Sequence, residues 1–312
     1  MKYVTKRIFI MAVTLFLVSL LTFLVFALIP GNSGRLLLGI DATDQAVAEF
    51  NAKHGLDKPV IERFFTWATN AFKGDLGESY SYSQPVTTLI LQKVPYTLTL
   101  AIMSLLMIIL VSIPLAIMAA NREHSFFDNA LMLNGQVMMA IPNFFLGIIL
   151  SWLFGLVLKI FVPGSIGSYK TNLGGFLYYM IFPALSLAIP RIAMSFRFLR
   201  TSIIEQKNSL YVRTAKGIGL GKKEIMNKHI LPNAFLPFVT FVGILFAEIV
   251  AGSVVLEQVF AIPGVGRFLL EAIELKDIPL AQGMILYIAF SVVIISFIVD
   301  IIYKLLDPRV RV

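Results

Sequence analysis

Residues Arg197–Pro232 read RFLRTSIIEQKNSLYVRTAKGIGLGKKEIMNKHILP, a basic, polar insert between two long apolar runs. The insert holds eight basic residues (Arg197, Arg200, Lys207, Arg213, Lys216, Lys222, Lys223 and Lys228) against Glu205 and Glu224 alone. A chain that crosses a bilayer keeps short basic connections on the cytoplasmic side, so this segment orients every span around it. Composition demands such a chain: with 58% apolar and 14% charged residues among 312, the hydrophobic surface exceeds what one soluble core can bury. The formal net charge of +8 (26 Lys and Arg, 18 Asp and Glu) is concentrated in the insert and at the termini. Cytoplasmic flanks of spans are basic for the same reason, so the charge argues for a membrane and against nucleic acid. The absence of cysteine removes disulfides, thiolate metal sites and cysteine nucleophiles.

Six spans follow. The first, Ile8–Ile29, comes after Lys2, Lys6 and Arg7 and is too long for a signal-peptide core, which reads as a retained anchor with its N-terminus inside. The second is Tyr96–Ala120 and the third Ala130–Phe161, long enough to tilt or to extend beyond the bilayer. The fourth is Phe176–Phe196, the fifth Ala234–Val255 and the sixth Ala281–Tyr303, with Pro142, Pro183 and Pro190 as expected kinks. An even count returns Lys304, Arg309 and Arg311 to the cytoplasm. Residues 31–93 are nearly neutral, and the segment Glu257–Pro279 is acidic, as outer segments should be; the short 121–129 connection is neutral on orientation. The chain thus divides into 1–30 (tip and first span), 31–95 (an extracytoplasmic helical segment), 96–303 (a five-span core with cytoplasmic loop 197–232 and outer loop 257–280) and 304–312 (a cytoplasmic tail).

In the outer segment Thr43 or Asp44 caps a helix through Lys53, closed by Gly55 in the left-handed conformation. Asp57-Lys58-Pro59 opens a second helix whose Val60, Phe64, Trp67 and Ala71 share one face, suited to packing on spans or lying in the interface. Residues 74–84 are turn-rich, forming either an outer mouth or a plain connection. Ile262–Gly266 makes a turn into a short helix, Arg267–Leu275, which is either a gate, with Pro263, Gly264 and Gly266 at its entrance, or an interfacial connector. Gly217, Gly219 and Gly221 before Lys222-Lys223 imitate a phosphate loop, but the spacing is short, no Ser or Thr follows the lysine, and a helix precedes it. His54, His124 and His229 fall on both sides of the membrane, so they make no metal site, and no catalytic triad has support.

Within the insert, Asn208 or Ser209 caps a short helix, Tyr211–Ile218, with Tyr211, Ala215 and Ile218 on one side. Gly219 and Gly221 end it; a second helix begins at Lys222, and Pro232 turns it into the fifth span. Such a helix fits a groove on another protein, or is a solvated loop drawn to anionic lipid.

The segment resembles the cytoplasmic loop of ABC-importer permeases, E-A-A, three residues, Gly, nine residues, I-x-L-P, with Arg213-Thr214-Ala215, Gly219 and Leu231-Pro232 in those places. YVRTAKGIGL (211–220) is similar to Y-I-R-T-A-R-A-K-G-L of the dipeptide, oligopeptide and nickel permeases. KHGLDKP (53–59), GDLGES (74–79), QPV (84–86), VFAIPGVGR (259–267) and LLDPRVR (305–311) resemble further segments of that family. The chain departs from the pattern at Gly217 (usually Ala), Ile218 (usually Lys) and His229 (usually Ile).

The resemblance implies an all-α polytopic protein of the bacterial plasma (inner) membrane, with six transmembrane helices in the type I importer fold and both termini cytoplasmic. It implies a non-catalytic subunit that pairs with a second, homologous permease above two ATP-binding subunits and receives short peptides from an extracytoplasmic binding protein. ATP and Mg belong to those partners, and this chain carries no cofactor or metal of its own. Tyr211, Arg213, Thr214, Ala215, Lys216 and Gly219 then form the ATPase contact. Among intramembrane polar residues, Glu248, Asn143 and Gln136 are placed on the route. Glu248 alternatively pairs with the second permease, Asn134, Gln136 and Asn143 alternatively bond between helices, and Arg191 and Asp300 are assigned structural roles. Nickel or metal-chelate permeases of the same family are one alternative. A standalone channel or secondary transporter is another, though neither an inverted repeat nor an acid cluster is visible. A scaffold with no route is a third.

Overall fold

The computed structural model describes residues 2–28, Arg35 and 41–306, with side chains described over 5–28, Arg35 and 41–305. The basic tail with Arg309 and Arg311, the motif beyond Leu306 and the expected end of the first span at Ile29 lie outside the described residues. Within them, secondary structure is helical apart from one isolated bridge between Glu78 and Pro85. Five helices are long and apolar enough to cross a membrane: Thr5–Ala27, Val86–Asn121, Leu173–Lys207, Lys222–Gly252 and Ile278–Leu305. A bent pair, Phe126–Ala140 and Asn143–Val157, supplies a sixth crossing if counted as one.

The chain forms two compact units. The first comprises Met1–Thr97 and Pro263–Val293, the second Leu98–Ile262 and Ile294–Val312. In the first unit, α1 (Lys2–Ala27) packs on α3 (Val60–Phe72) through Phe16 and Phe23 against Phe64, with ring centroids 6.0 and 5.4 Å apart. Phe64 and Trp67 therefore turn toward a span, as their spacing predicts, while Val60 on the same stripe is 41% exposed. Helix α2 (Asp44–Lys53) starts where Thr43 Oγ1 accepts from the Ala46 amide and ends before Gly55, whose φ of +63° is the left-handed closure expected. The unit's core joins the first turns of α4 (Val86–Asn121) to Val265, Phe268 and Ala272 of α12 (Val265–Glu274) and to Leu280, Ala281 and Met284 of α13 (Ile278–Leu306).

In the second unit α7 (Leu173–Lys207) packs on α5 (Phe126–Ala140), α6 (Asn143–Leu150) and α10 (Leu231–Gly252). Its buried face carries Phe176, Met180, Leu187, Phe196, Leu199 and Ile203. Pro183 and Pro190 are accommodated inside it. The third span is not one tilted rod: α5 and the helix that follows meet at 93°. The residue before a proline is pushed out of the helical region, and Ile141 (φ −84°, ψ 123°) is extended, leaving Pro142 as the N-cap from which α6 starts at Asn143. Helix α6 continues as a π-helical turn, Ser151–Val157. At Gly147 a Cβ would lie 2.5 Å from Leu256, so glycine lets α6 approach α11 (Val254–Val259) closely.

Candidate functional site

The basic insert folds as α8 (Leu210–Gly217), a glycine turn and α9 (Lys222–Ile225). Ser209 occupies the N-cap, yet its hydroxyl donates back to Gln206 O (2.6 Å) rather than capping, and Asn208 ends α7 instead. Gly219 has φ +86°, a conformation costly for any residue with a Cβ, and it releases the chain from α8. Beyond Ile225 the helix does not turn at Pro232. It widens into a π turn over Met226–Ile230, with the Leu231 amide donating to Met226 O, and runs on into α10. Proline lacks an N–H and its ring crowds the carbonyl four residues back; the wide turn sits where Lys228 would suffer that contact.

Helix α8 is seated on the unit's own core. Val212 (1% exposed) and Ala215 (6%) pack with Leu199 and Ile203 of α7, Ile225, Ile230 and Ala234. The inward face is thus Val212 and Ala215, and of the three residues whose spacing puts them on one side, Tyr211, Ala215 and Ile218, only Ala215 is buried. Ile218 ends outside the last turn and is 72% exposed. Tyr211 lies at the edge, where its hydroxyl donates to Gln206 Oε1 (2.8 Å) and approaches His229 O (3.2 Å); Asn233 Nδ2 also donates to His229 O at 2.7 Å. One phenol thereby ties α8 to the end of α7 and to the π turn. Arg213, Thr214, Lys216 and Gly219 are exposed. Leu210 (77% exposed) and Ile218, four residues either side of Thr214, complete an outward apolar stripe that helical spacing alone did not single out. An exposed leucine and isoleucine in so basic a loop were its signal.

Two contacts hold this platform to the neighbouring helices. Arg200 Nε and Nη2 donate to Asp128 Oδ1 and Oδ2, both at 2.5 Å, and the pair is 13% and 1% exposed. Asp128 also accepts from the His124 amide at 3.0 Å, while Ser125 Oγ caps α5 by accepting from the Asp128 amide. Lys207 Nζ donates to Ala120 O at the end of α4 (2.7 Å) and lies 3.7 Å from Glu123. These pairings span 72 and 87 residues and left no periodic trace in the sequence.

The expected route residues are dispersed over the second unit. Glu248 is exposed on α10, Gln136 is exposed on α5 and receives Arg197 Nη1 at 3.5 Å, and Asn143 is half-buried in the first turn of α6. Asn134 bonds within its own helix, to Ala130 O. Of the expected gate residues, Gly264 is the N-cap of α12, which begins at Val265, two residues earlier than the spacing indicates. Gly264 and Gly266 are buried and Pro263 is half-buried. The Val265 amide donates to Thr97 Oγ1 at 2.8 Å.

The first unit has its own latch on the turn-rich segment. Asp277, fully buried, accepts from Ser79 Oγ (2.5 Å), the Ser81 amide (2.9 Å) and the Leu280 amide (3.2 Å). Tyr82 donates to Glu271 Oε1 at 2.6 Å; burial first, and the Glu271 carboxylate next, push its phenol up to about 12, so it stays a donor.

Residues 112–312 match the model of the binding-protein-dependent transport system inner membrane component, and residues 1–101 match the N-terminal model of the same membrane component. A Brucella abortus (strain 2308) protein, provisionally named a peptide transport system permease, is 34% identical over 99% of this chain and 98% of its own length. The oligopeptide transport system permease protein AppB of Bacillus subtilis (strain 168) is 30% identical over 99% of each chain. The glutathione transport system permease protein GsiC of Escherichia coli O6:H1 is 32% identical over 100% of this chain and 99% of its own.

Proposed function

Because this chain belongs to the family of binding-protein-dependent transport system inner membrane components, we propose that it is the permease of an ATP-driven importer of short peptides. Similarity along the whole length to relatives named for peptide, oligopeptide and glutathione transport supports that substrate class. The chain works beside a second, homologous permease, above two ATP-binding subunits, and receives cargo from an extracytoplasmic binding protein. It lies in the bacterial inner membrane with both termini and the insert on the cytoplasmic side. It is not itself an enzyme: ATP and Mg are handled by the partners, and the chain carries no cofactor.

The observation that carries the mechanism is the construction of α8. Its inward face, Val212 and Ala215, is part of the core shared by α7 and α10, while its outward face is free. Leu210, Thr214 and Ile218, flanked by Tyr211, Arg213, Lys216 and Gly219, enter a cleft on an ATP-binding subunit. Ala215 serves by being small, letting the helix sit tightly on its own core. When the ATP-binding subunits close, α8 moves with them and carries α7 and α10, which switches the route between outward and inward access.

Leu210→Asp and Ile218→Asp test this without disturbing the core. ATP-driven uptake and co-purification of the ATP-binding subunits should both be lost while the melting profile of the permease is kept. Undiminished uptake by the double variant rejects the docking role.

A further inference from the structure

Arg191 in α7 and Glu248 in α10 are opposite charges on two helices that pack along each other within the second unit. Their arrangement is unusual for a membrane interior. Arg191 is half-buried, and one guanidinium nitrogen, Nη1, donates to Leu187 O at 3.2 Å. Its Nε is buried and has no acceptor. Among the described residues Arg191 has no ion pair, and the antiparallel register set by Phe198 stacked on Phe241 at 4.4 Å and by Ser202 Oγ donating to Ala234 O puts Arg191 level with Glu248. Glu248 itself is exposed.

Opposite charges in a low-dielectric region ordinarily close on each other, because each left alone is costly there. A guanidinium with an unfilled buried N–H and a carboxylate turned outward beside it have not done so. The positive end is fixed to the backbone of its helix, and the negative end stands clear. A small solute carrying both an anion and a cation would satisfy both ends at once.

We propose that Arg191 and Glu248 are the two ends of a slot for a zwitterionic solute, the guanidinium receiving a carboxylate and the Glu248 carboxylate receiving an ammonium group. This rests on the importer reading above and deepens it: the solute class is a short peptide with free termini. No bond is made or broken. The slot holds the charges of the cargo during passage, where water cannot.

The test uses the complete importer, this chain with its second permease, ATP-binding subunits and binding protein, reconstituted in liposomes. Uptake of labelled tri-alanine is compared for the wild type, Arg191→Gln, Glu248→Gln and the double variant, alongside Tm and ATP hydrolysis. Each single variant should lower the maximal uptake rate about tenfold, roughly 1.4 kcal/mol. The concentration for half-maximal uptake, governed by the delivering protein, should stay, and Tm should be unchanged. The double variant should be no better than the poorer single one. Recovery of uptake in the double variant, or a fall in Tm that tracks the loss, makes the two residues a structural ion pair and overturns the slot, as does uptake unaffected by either change. A wild-type importer with ATP hydrolysis stimulated by its binding protein but no tri-alanine uptake overturns the peptide reading and the slot with it. Absence of stimulated hydrolysis altogether overturns the importer reading.

Discussion

Removing the Asp128 carboxylate strands the Arg200 guanidinium at the start of α5. Two short charge-assisted bonds, at 2.5 Å each, join the side chains, and Asp128 also accepts the His124 amide. Breaking a buried pair by deleting one member costs about 3–5 kcal/mol, because the remaining charge stays desolvated. With Arg200 13% exposed, some water can reach it, so the expected cost of Asp128→Asn lies at the low end, about 3 kcal/mol. The amide variant keeps the shape but turns N–H groups or a weaker oxygen toward the guanidinium. Replacing both partners by apolar residues, Asp128→Leu with Arg200→Met, removes the stranded charge as well as the bond. A double-mutant cycle read by detergent-induced unfolding in mixed micelles separates these effects. Each single variant should unfold early, and the double variant should lie closer to wild type than either. Single variants within about 0.5 kcal/mol of wild type, or a double variant equal to the sum of the singles, would refute the assignment of Arg200–Asp128 as the tie between α5 and α7.

Three further outcomes are expected. At Gly217 a Cβ meets nothing within 4 Å and φ is not positive, so Gly217→Ala should stabilise α8 by about 0.5–1 kcal/mol, whereas Gly219→Ala, at φ +86°, should weaken the turn by about 1 kcal/mol; amide exchange over 210–220 reads both. Asp277→Ala leaves Ser79 and the Ser81 amide without their acceptor and should cost about 3 kcal/mol, seen as faster proteolysis within 74–84. Burial, then the neighbouring Lys53, holds the His54 imidazole below its ordinary value of 6.5, with Phe50 and Tyr80 rings packed at 4.4 and 4.7 Å. Because the folded form resists the proton, the stabilisation is full above pH 6.5 and is lost as pH falls through the lowered value. Protection factors in α2, with exchange corrected for its intrinsic base catalysis, should therefore fall as pH drops below 6.5, and a His54→Phe variant should lack that step.

Much of the architecture is legible in the order of the residues alone. Spans announce themselves because the bilayer admits no unpaired backbone, so apolar length locates them. The kink expected at Pro142 is present, but its size, 93°, was not legible, since the chain is apolar on both sides of it and only the Ile141-Pro142 dipeptide marks the change. Thr43 and Gly55 disclosed α2 because caps are local chemistry. Which face of α8 turns inward was not legible from spacing. Tyr211, Ala215 and Ile218 have helical spacing, but a phenol needs partners for its hydroxyl and sits at an edge, leaving Val212 to fill the core. The tie between Asp128 and Arg200 depends on which helices meet, something one chain's periodicity does not encode. The standing of Arg191 beside Glu248 depends likewise on helix pairing. The two charges are visible in the sequence; the partial burial of Arg191 and its unfilled Nε are not.

The wide turn ahead of Pro232 has a mechanical corollary. By absorbing the proline without a knuckle, it leaves Lys222–Gly252 as a single 31-residue run, about 46 Å from end to end. A displacement at Lys222 thus arrives at Gly252 along one unjointed shaft, with no elbow to spend the stroke on.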